Sequence, residues 1–273
     1  RSMNLFRFRI LIPETICNLI AGFGLVLMVA SIVCWQSSLG PPPEETSRPI
    51  QAPGPFALVV IDPGHGGQDS GAICAGVQEK DLTLDIAQRI DRLLQAQGIA
   101  TLMTRTGDSY VSLADRAAVT NRSRDCIFVS IHFNEGNKNS SAGVETYYAE
   151  HRTGEKAPIA SWLPFLQPAA LETSSNVESE SLAGFIQEAL VARTQAADRG
   201  TKAGQFFVIT NVRHPAVLVE GGFLSNKEDV AKLTTLDYRE QMAAAVTEGI
   251  MKYREVLQQQ EAAGAASAPV GPE

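Results

Sequence analysis

Three apolar runs of the chain end in polar residues able to do chemistry. Leu58–Asp62 runs into Pro63-Gly64-His65-Gly66-Gly67, Ile127–Ile131 into His132-Phe133-Asn134, and Ala216–Val219 into Glu220-Gly221-Gly222. Glu79 follows the first of these loops, at the head of a segment with helical periodicity. Each residue has an ordinary reading when taken alone. A histidine in a Gly-rich turn can serve the turn, and a histidine closing a strand is commonly a hydrogen-bonded rim residue. The glycines can shape a tight turn or cradle an anion. A dinucleotide GxGxxG does not fit, because Asp69 stands where its third glycine is needed, and no GxxxxGK occurs. Taken together, His65, His132 and Glu79 are the donor set of a catalytic zinc centre: two imidazoles and a carboxylate, with a fourth position open. Zn2+ in such a site polarises a carbonyl and brings the pKa of water to about 7. Glu220, a second carboxylate at the same edge, is then placed to take a proton from water and pass it to a leaving amine.

These residues converge only if the strands that carry them are neighbours. Open parallel sheets bind ligands at the carboxyl ends of their strands, and the order of elements predicts such a sheet. Leu58–Asp62, Ile99–Thr104, Ile127–Ile131, Val144–Tyr148, Phe206–Thr210 and Ala216–Val219 read as strands. Asp81–Gln97 carries Leu82, Ile86, Ile90, Leu93 and Leu94 at helical spacing, with Gly98 as its stop. Ser112 with Asp115 opens a short helix, and Leu182, Phe185, Ile186, Ala189 and Leu190 mark another. Ser225 with Glu228 caps a third, and Tyr238–Leu257 forms the last. The expectation is one α/β domain, with a mostly parallel sheet covered by helices on both faces.

The rest of the chain bounds that domain. Of its 273 residues, 44% are hydrophobic and 19% charged, which excludes wholesale disorder and coiled coil. The net charge of −7 and the lack of any Lys/Arg-rich run exclude a nucleic-acid partner. Cys17, Cys34, Cys74 and Cys126 form no CxxC pair, so neither a zinc ribbon nor a disulfide framework is indicated. Ile16–Trp35 carries no charge over twenty positions, enough to span the roughly 30 Å hydrocarbon core of a bilayer. Arginines precede it and Glu44 and Glu45 follow, which predicts a cytoplasmic N-terminus and a body outside. Residues 1–35 are therefore expected to be a membrane anchor, with a cleaved signal peptide as the alternative. Residues 36–57 read as a Pro-rich linker, 58–257 as the catalytic domain and 258–273 as a disordered tail. His151–Val177, with Pro158, Pro164 and Pro168, interrupts the rhythm as an insert.

The motifs DPGHGG, EKD, SIHFN and VEGGFLSN, in this order, resemble the zinc-dependent N-acetylmuramoyl-L-alanine amidases of the bacterial cell wall. The likeness runs from Val59 to Tyr253 and includes Thr104-Arg105, Asp108, Leu113, Arg116, Asn121, the Asp198-Arg199-Gly200 triplet and PAVLVE. It implies an α/β fold with a mixed or mostly parallel sheet. It also implies hydrolysis of the amide between N-acetylmuramic acid and L-alanine of peptidoglycan, outside the cytoplasm. It makes His65, Glu79 and His132 zinc ligands and Glu220 the general acid/base. Asn134 and the backbone at Gly221 are implied substrate contacts, while Arg105, Asp108, Arg116, Asn121 and Arg199 take structural roles. The insert lies where some relatives carry a helix that blocks the zinc site until an activator protein removes it; here it is short and broken by prolines. A zinc peptidase cutting within the stem peptide, or an inactive wall-binding protein, are the competing readings.

Overall fold

The computed structural model describes residues 55–136, 141–149 and 174–267. The expected anchor, the linker up to residue 54 and the insert up to residue 173 lie outside the described residues. Among the described residues, no helix is long and apolar enough to cross a membrane.

Among the described residues, six strands form one mixed sheet in the order β4-β1-β5-β8-β6-β7. They are β1 (Leu58–Pro63), β4 (Ala100–Met103), β5 (Cys126–Asn134), β6 (Val144–Ala149), β7 (Asp198–Gly204) and β8 (Ala216–Phe223). Every pairing is parallel except β6 with β8. A small hairpin, β2 (Ile73–Cys74) with β3 (Val77–Gln78), lies outside this sheet. The helices are α1 (Glu79–Ala96), α2 (Leu113–Arg122), α3 (Ser174–Thr194), α4 (Phe207–Thr210), α5 (Lys227–Leu233) and α6 (Leu236–Ser267).

Side-chain alternation along the central strands sorts the core into two layers. Val59, Ile61, Ile127, Val129, Ile131, Val217 and Val219 point to one face, where Leu82, Ile86, Ile90 and Leu94 of α1 pack with residues of α3 and α6. Val60, Phe128 and Leu218 point to the other, against Ala117 of α2 and Val208 and Ile209 of α4. Burying each of these large aliphatic side chains contributes about 1.5–3 kcal/mol. Farther along the second face the residues turn polar: Asp62, Ser130, His132, Glu220 and Glu145.

Several elements differ from the sequence reading, which also did not contain the β2–β3 hairpin. Phe206–Thr210, expected as a strand, is the helical turn α4; its Val208 and Ile209 fill the smaller layer, which a turn of helix does as well as a strand. Asp198–Gly204 is a strand that the reading did not contain. The cap of α5 is Asn226, whose side chain accepts from the Glu228 and Asp229 amides, in place of Ser225. Finally, α6 continues through residues 258–267, where a disordered tail was expected; this stretch is rich in Gln, Glu and Ala, good helix formers that need no burial.

Candidate active site

The site is built on the loop that follows β1. His65 has φ 61°, a left-handed conformation that a side chain makes costly, and Gly66 and Gly67 follow at φ 126° and 59°. Two arginines hold this loop by its carbonyls. Arg105 donates from Nε to the Pro63 oxygen at 3.0 Å and from Nη2 to the Gly64 oxygen at 2.8 Å. Arg116 donates from Nη2 to the His65 oxygen and from Nη1 to the Pro63 oxygen, both at 2.6 Å. Arg116 Nη1 also meets the fully buried Asp62 carboxylate at 2.6 Å, and Ser130 Oγ donates to the other Asp62 oxygen at 2.7 Å. Asp108 accepts from the Gly67 amide at 2.7 Å and from Lys80 Nζ at 2.8 Å. Asn121 bonds residues 211 and 213, away from the loop.

Three side chains converge where this loop meets α1 and the end of β5. His65 Nε2 and His132 Nδ1 each lie 3.0 Å from Glu79 Oε1, and the possible ligand atoms of the three residues lie within 4.8 Å of one another. Glu79 opens α1, where the helix dipole favours a negative charge. Its Oε1 accepts from the Phe133 amide at 3.0 Å and its Oε2 from the Ala72 amide at 2.9 Å. The remaining ring nitrogen of His65 meets Asp69 Oδ2 at 3.0 Å, the outer carboxylate that commonly orients a metal-binding imidazole. Two glycines make room: a Cβ on Gly64 would lie 2.3–2.7 Å from the His132 ring, and one on Gly71 2.5 Å from Glu79 Oε2.

The electrostatics follow from burial and neighbours. Burial alone would raise the Glu79 pKa, but hydrogen bonds and charge from His132 and His65 hold it well below the usual carboxylate range. Burial would lower His65, yet Glu79 and Asp69 together raise it. Glu220 sits beside this cluster, its Cα in register with His132 on one side and with Glu145 on the other. Burial, and then the charges of Glu79 and Glu145, push its pKa well above the ordinary value. Its Oε2 is buried without a hydrogen-bond partner among the described residues.

The structure thus brings His65, Glu79, His132 and Glu220 to one place. Asn134 donates to Glu145 Oε1 at 2.7 Å. A Cβ on Gly221 would run into Met242 and Phe133 of the larger core layer, on the opposite face from Glu220. Cys74 is half-buried in the hairpin against the core, and Cys126 Sγ lies 3.8 Å from the Thr120 carbonyl. Arg199 is the one motif arginine outside the loop clamp: it reaches Glu145. Sequence reasoning missed Asp69, Glu145 and Lys202. Only Asp69, four residues after His65, stood close enough in the chain to give a signal.

The chain matches the family model described as N-acetylmuramoyl-L-alanine amidase over residues 59–252. It is 31% identical over 219 residues to the N-acetylmuramoyl-L-alanine amidase AmiA of Salmonella typhimurium, covering 72% of this chain and 75% of that one. The N-acetylmuramoyl-L-alanine amidase of Clostridium difficile 630 superposes with a TM-score of 0.61 at 33% identity, over 73% of this chain and 97% of that one. The CwlD amidase of Clostridioides difficile, solved in complex with the GerS lipoprotein, gives a TM-score of 0.62 at 27% identity, over 73% and 99%.

Proposed function

The chain belongs to the N-acetylmuramoyl-L-alanine amidase family, and we propose that His65, Glu79 and His132 hold a zinc ion while Glu220 moves the protons of the reaction. The protein is a hydrolase of peptidoglycan that cleaves the amide between the lactyl group of N-acetylmuramic acid and L-alanine of the stem peptide. The observation that supports the division of labour is three convergent ligand atoms with a buried carboxylate in register beside them, whose Oε2 has no hydrogen-bond partner among the described residues. The donor set suits zinc: two imidazole nitrogens and a carboxylate oxygen, one imidazole oriented by an outer carboxylate. Zinc bound there supplies a Lewis acid for the lactyl carbonyl and lowers the pKa of water.

The remaining work belongs to Glu220. As an ionised carboxylate it accepts a proton from the attacking water. It gives that proton to the alanine nitrogen as the C–N bond breaks, leaving a lactyl carboxylate and a free amine. A pKa raised above the ordinary carboxylate range brings it closer to working pH, which suits a group that must both take and give a proton.

Digestion of purified peptidoglycan tests this reading. Mass spectrometry is expected to show stem peptides beginning with L-alanine and intact glycan, with release abolished by a chelator and restored by zinc. Cuts within the peptide would establish a peptidase instead, and binding to sacculi without any release would leave a wall-binding protein. A second test uses Gly64→Ala, whose methyl group must displace the His132 ring. Zinc affinity is expected to fall by about 10–100-fold, read by competition with a chromogenic chelator; an unchanged affinity would remove His132 from the ligand set.

A body acting on peptidoglycan works outside the cytoplasm. Tethering through residues 1–35 rests on the charge pattern around the apolar run, and membrane fractionation with and without that segment tests it. An activating partner is a further expectation, supported by the similar amidase solved with a lipoprotein.

A further inference from the structure

One buried carboxylate at this edge has no part in the reaction described. Glu145 lies opposite Glu220 on β6 and is 2% exposed. Its Oε2 accepts from Arg199 Nε at 2.7 Å and Lys202 Nζ at 2.5 Å. Its Oε1 accepts from Asn134 Nδ2 at 2.7 Å and the Tyr147 hydroxyl at 2.8 Å. A single cation would neutralise Glu145, and two are present; while the neighbouring Glu220 is protonated, one positive charge is left over, in a chain whose net charge is −7.

Both cations are held in place. The Arg199 guanidinium lies 4.8 Å from the centre of the Phe223 ring, and Lys202 Nζ lies 5.7 Å from that of Tyr147. Arg199 uses only Nε on Glu145, and among the described residues its two terminal nitrogens carry no hydrogen bond. Both side chains are about one-third exposed, open to a ligand. A stacked guanidinium with its outer fork unspent matches a carboxylate in shape and charge.

We propose that Arg199 and Lys202, aligned by Glu145, bind a carboxylate of the stem peptide, that of the residue following L-alanine. The inference rests on the amidase reading of the same site. The distances suit it. β7 lies two strand spacings from β8, roughly 10 Å, and two residues of extended peptide span about 7 Å from the scissile amide. An arginine or lysine side chain leaning back along the sheet covers the difference. Glu145 is a positioning residue here: it points the two cations without itself meeting the substrate.

The test compares two soluble muramoyl-peptides with the zinc-loaded chain. In one, the residue after L-alanine carries a free carboxylate; in the other, the corresponding carboxamide. The wild type is expected to favour the carboxylate by about tenfold or more in kcat/KM, the scale of one charge-assisted bidentate pair. In Arg199→Gln that ratio falls towards one, and Arg199→Lys recovers part of it. Lys202→Met is a second variant, since either cation removed singly leaves Glu145 with the other. Dissociation constants measured in a Glu220→Gln background should show the same preference without turnover. Turnover of both substrates without preference, or a preference that survives in both variants, overturns the carboxylate receptor and leaves the amidase intact. If the wild type turns over neither substrate, the dissociation constants decide: equal binding of the two overturns the carboxylate receptor, while digestion of purified peptidoglycan tests the amidase reading separately.

Discussion

Turnover by the Glu220→Gln variant falls by about 10²–10⁴-fold, the worth of a positioned general acid/base, while its zinc content stays at the wild-type level. Glutamine keeps the shape of the side chain and removes its capacity to carry a proton. Glu220 is not one of the three residues whose ligand atoms converge, so metal binding should not need it. The fold should tolerate the change as well: the buried Oε2 lacks a hydrogen-bond partner among the described residues, so no bond between them is lost at that atom. Glu220→Ala should behave alike. Metal analysis beside steady-state kinetics separates the possibilities. Full activity in the glutamine variant would remove the proton-carrying role, and zinc lost in step with activity would make Glu220 a ligand.

The Arg116→Met variant unfolds about 3–5 kcal/mol more easily than the wild type, the cost of stranding one half of a buried ion pair. Asp62 is fully buried and Arg116 is its cation at 2.6 Å. The same substitution strips donors from the carbonyls of Pro63 and His65, and with them the restraint on the left-handed His65. At about 2–4 °C per kcal/mol for a domain of this size, the melting temperature should drop by roughly 10 °C. A double variant, Asp62→Asn with Arg116→Met, should regain part of the loss because no unpaired charge remains. Chemical unfolding of the four members of that cycle measures the coupling. Additive losses would show that the pair contributes through packing alone.

The edge where His65, Glu79, His132 and Glu220 meet was legible in the sequence because its signal is local. An apolar run that stops at a histidine or glutamate names both a strand and the residue at its end, as with Ile127–Ile131 and His132, or Ala216–Val219 and Glu220. The parallel arrangement followed from alternation of strands with helices. What escaped had other causes. β7 reads DRGTKAG and lacks apolar alternation, because as an outer strand it is held by its ladder to β6 rather than by burial. Phe206–Thr210 is a short apolar run, which periodicity alone cannot divide between strand and helix. The loop clamp joins Arg105 and Arg116 to residues 41 to 54 positions away; nothing near an arginine in the chain announces which carbonyl it will find. Glu145 and Lys202 were hidden likewise, since their meaning comes from lying across the sheet from one another and from Glu220.

The two outer strands of the sheet face a hazard that the central ones do not. Their N–H and C=O groups that are unpaired among the described residues can pair with a strand from another molecule and so nucleate aggregation. β4 is only four residues long and offers little to add to. β7 is seven residues long, and its protection is chemical. Asp198, Arg199 and Lys202 put charge along it, and Gly200 and Gly204 make it a poor template for a further strand. The side chains that crowd around Glu145 therefore also keep the sheet from growing outward, and a chain made neutral at positions 199 and 202 would gain a sticky edge as it lost its charge.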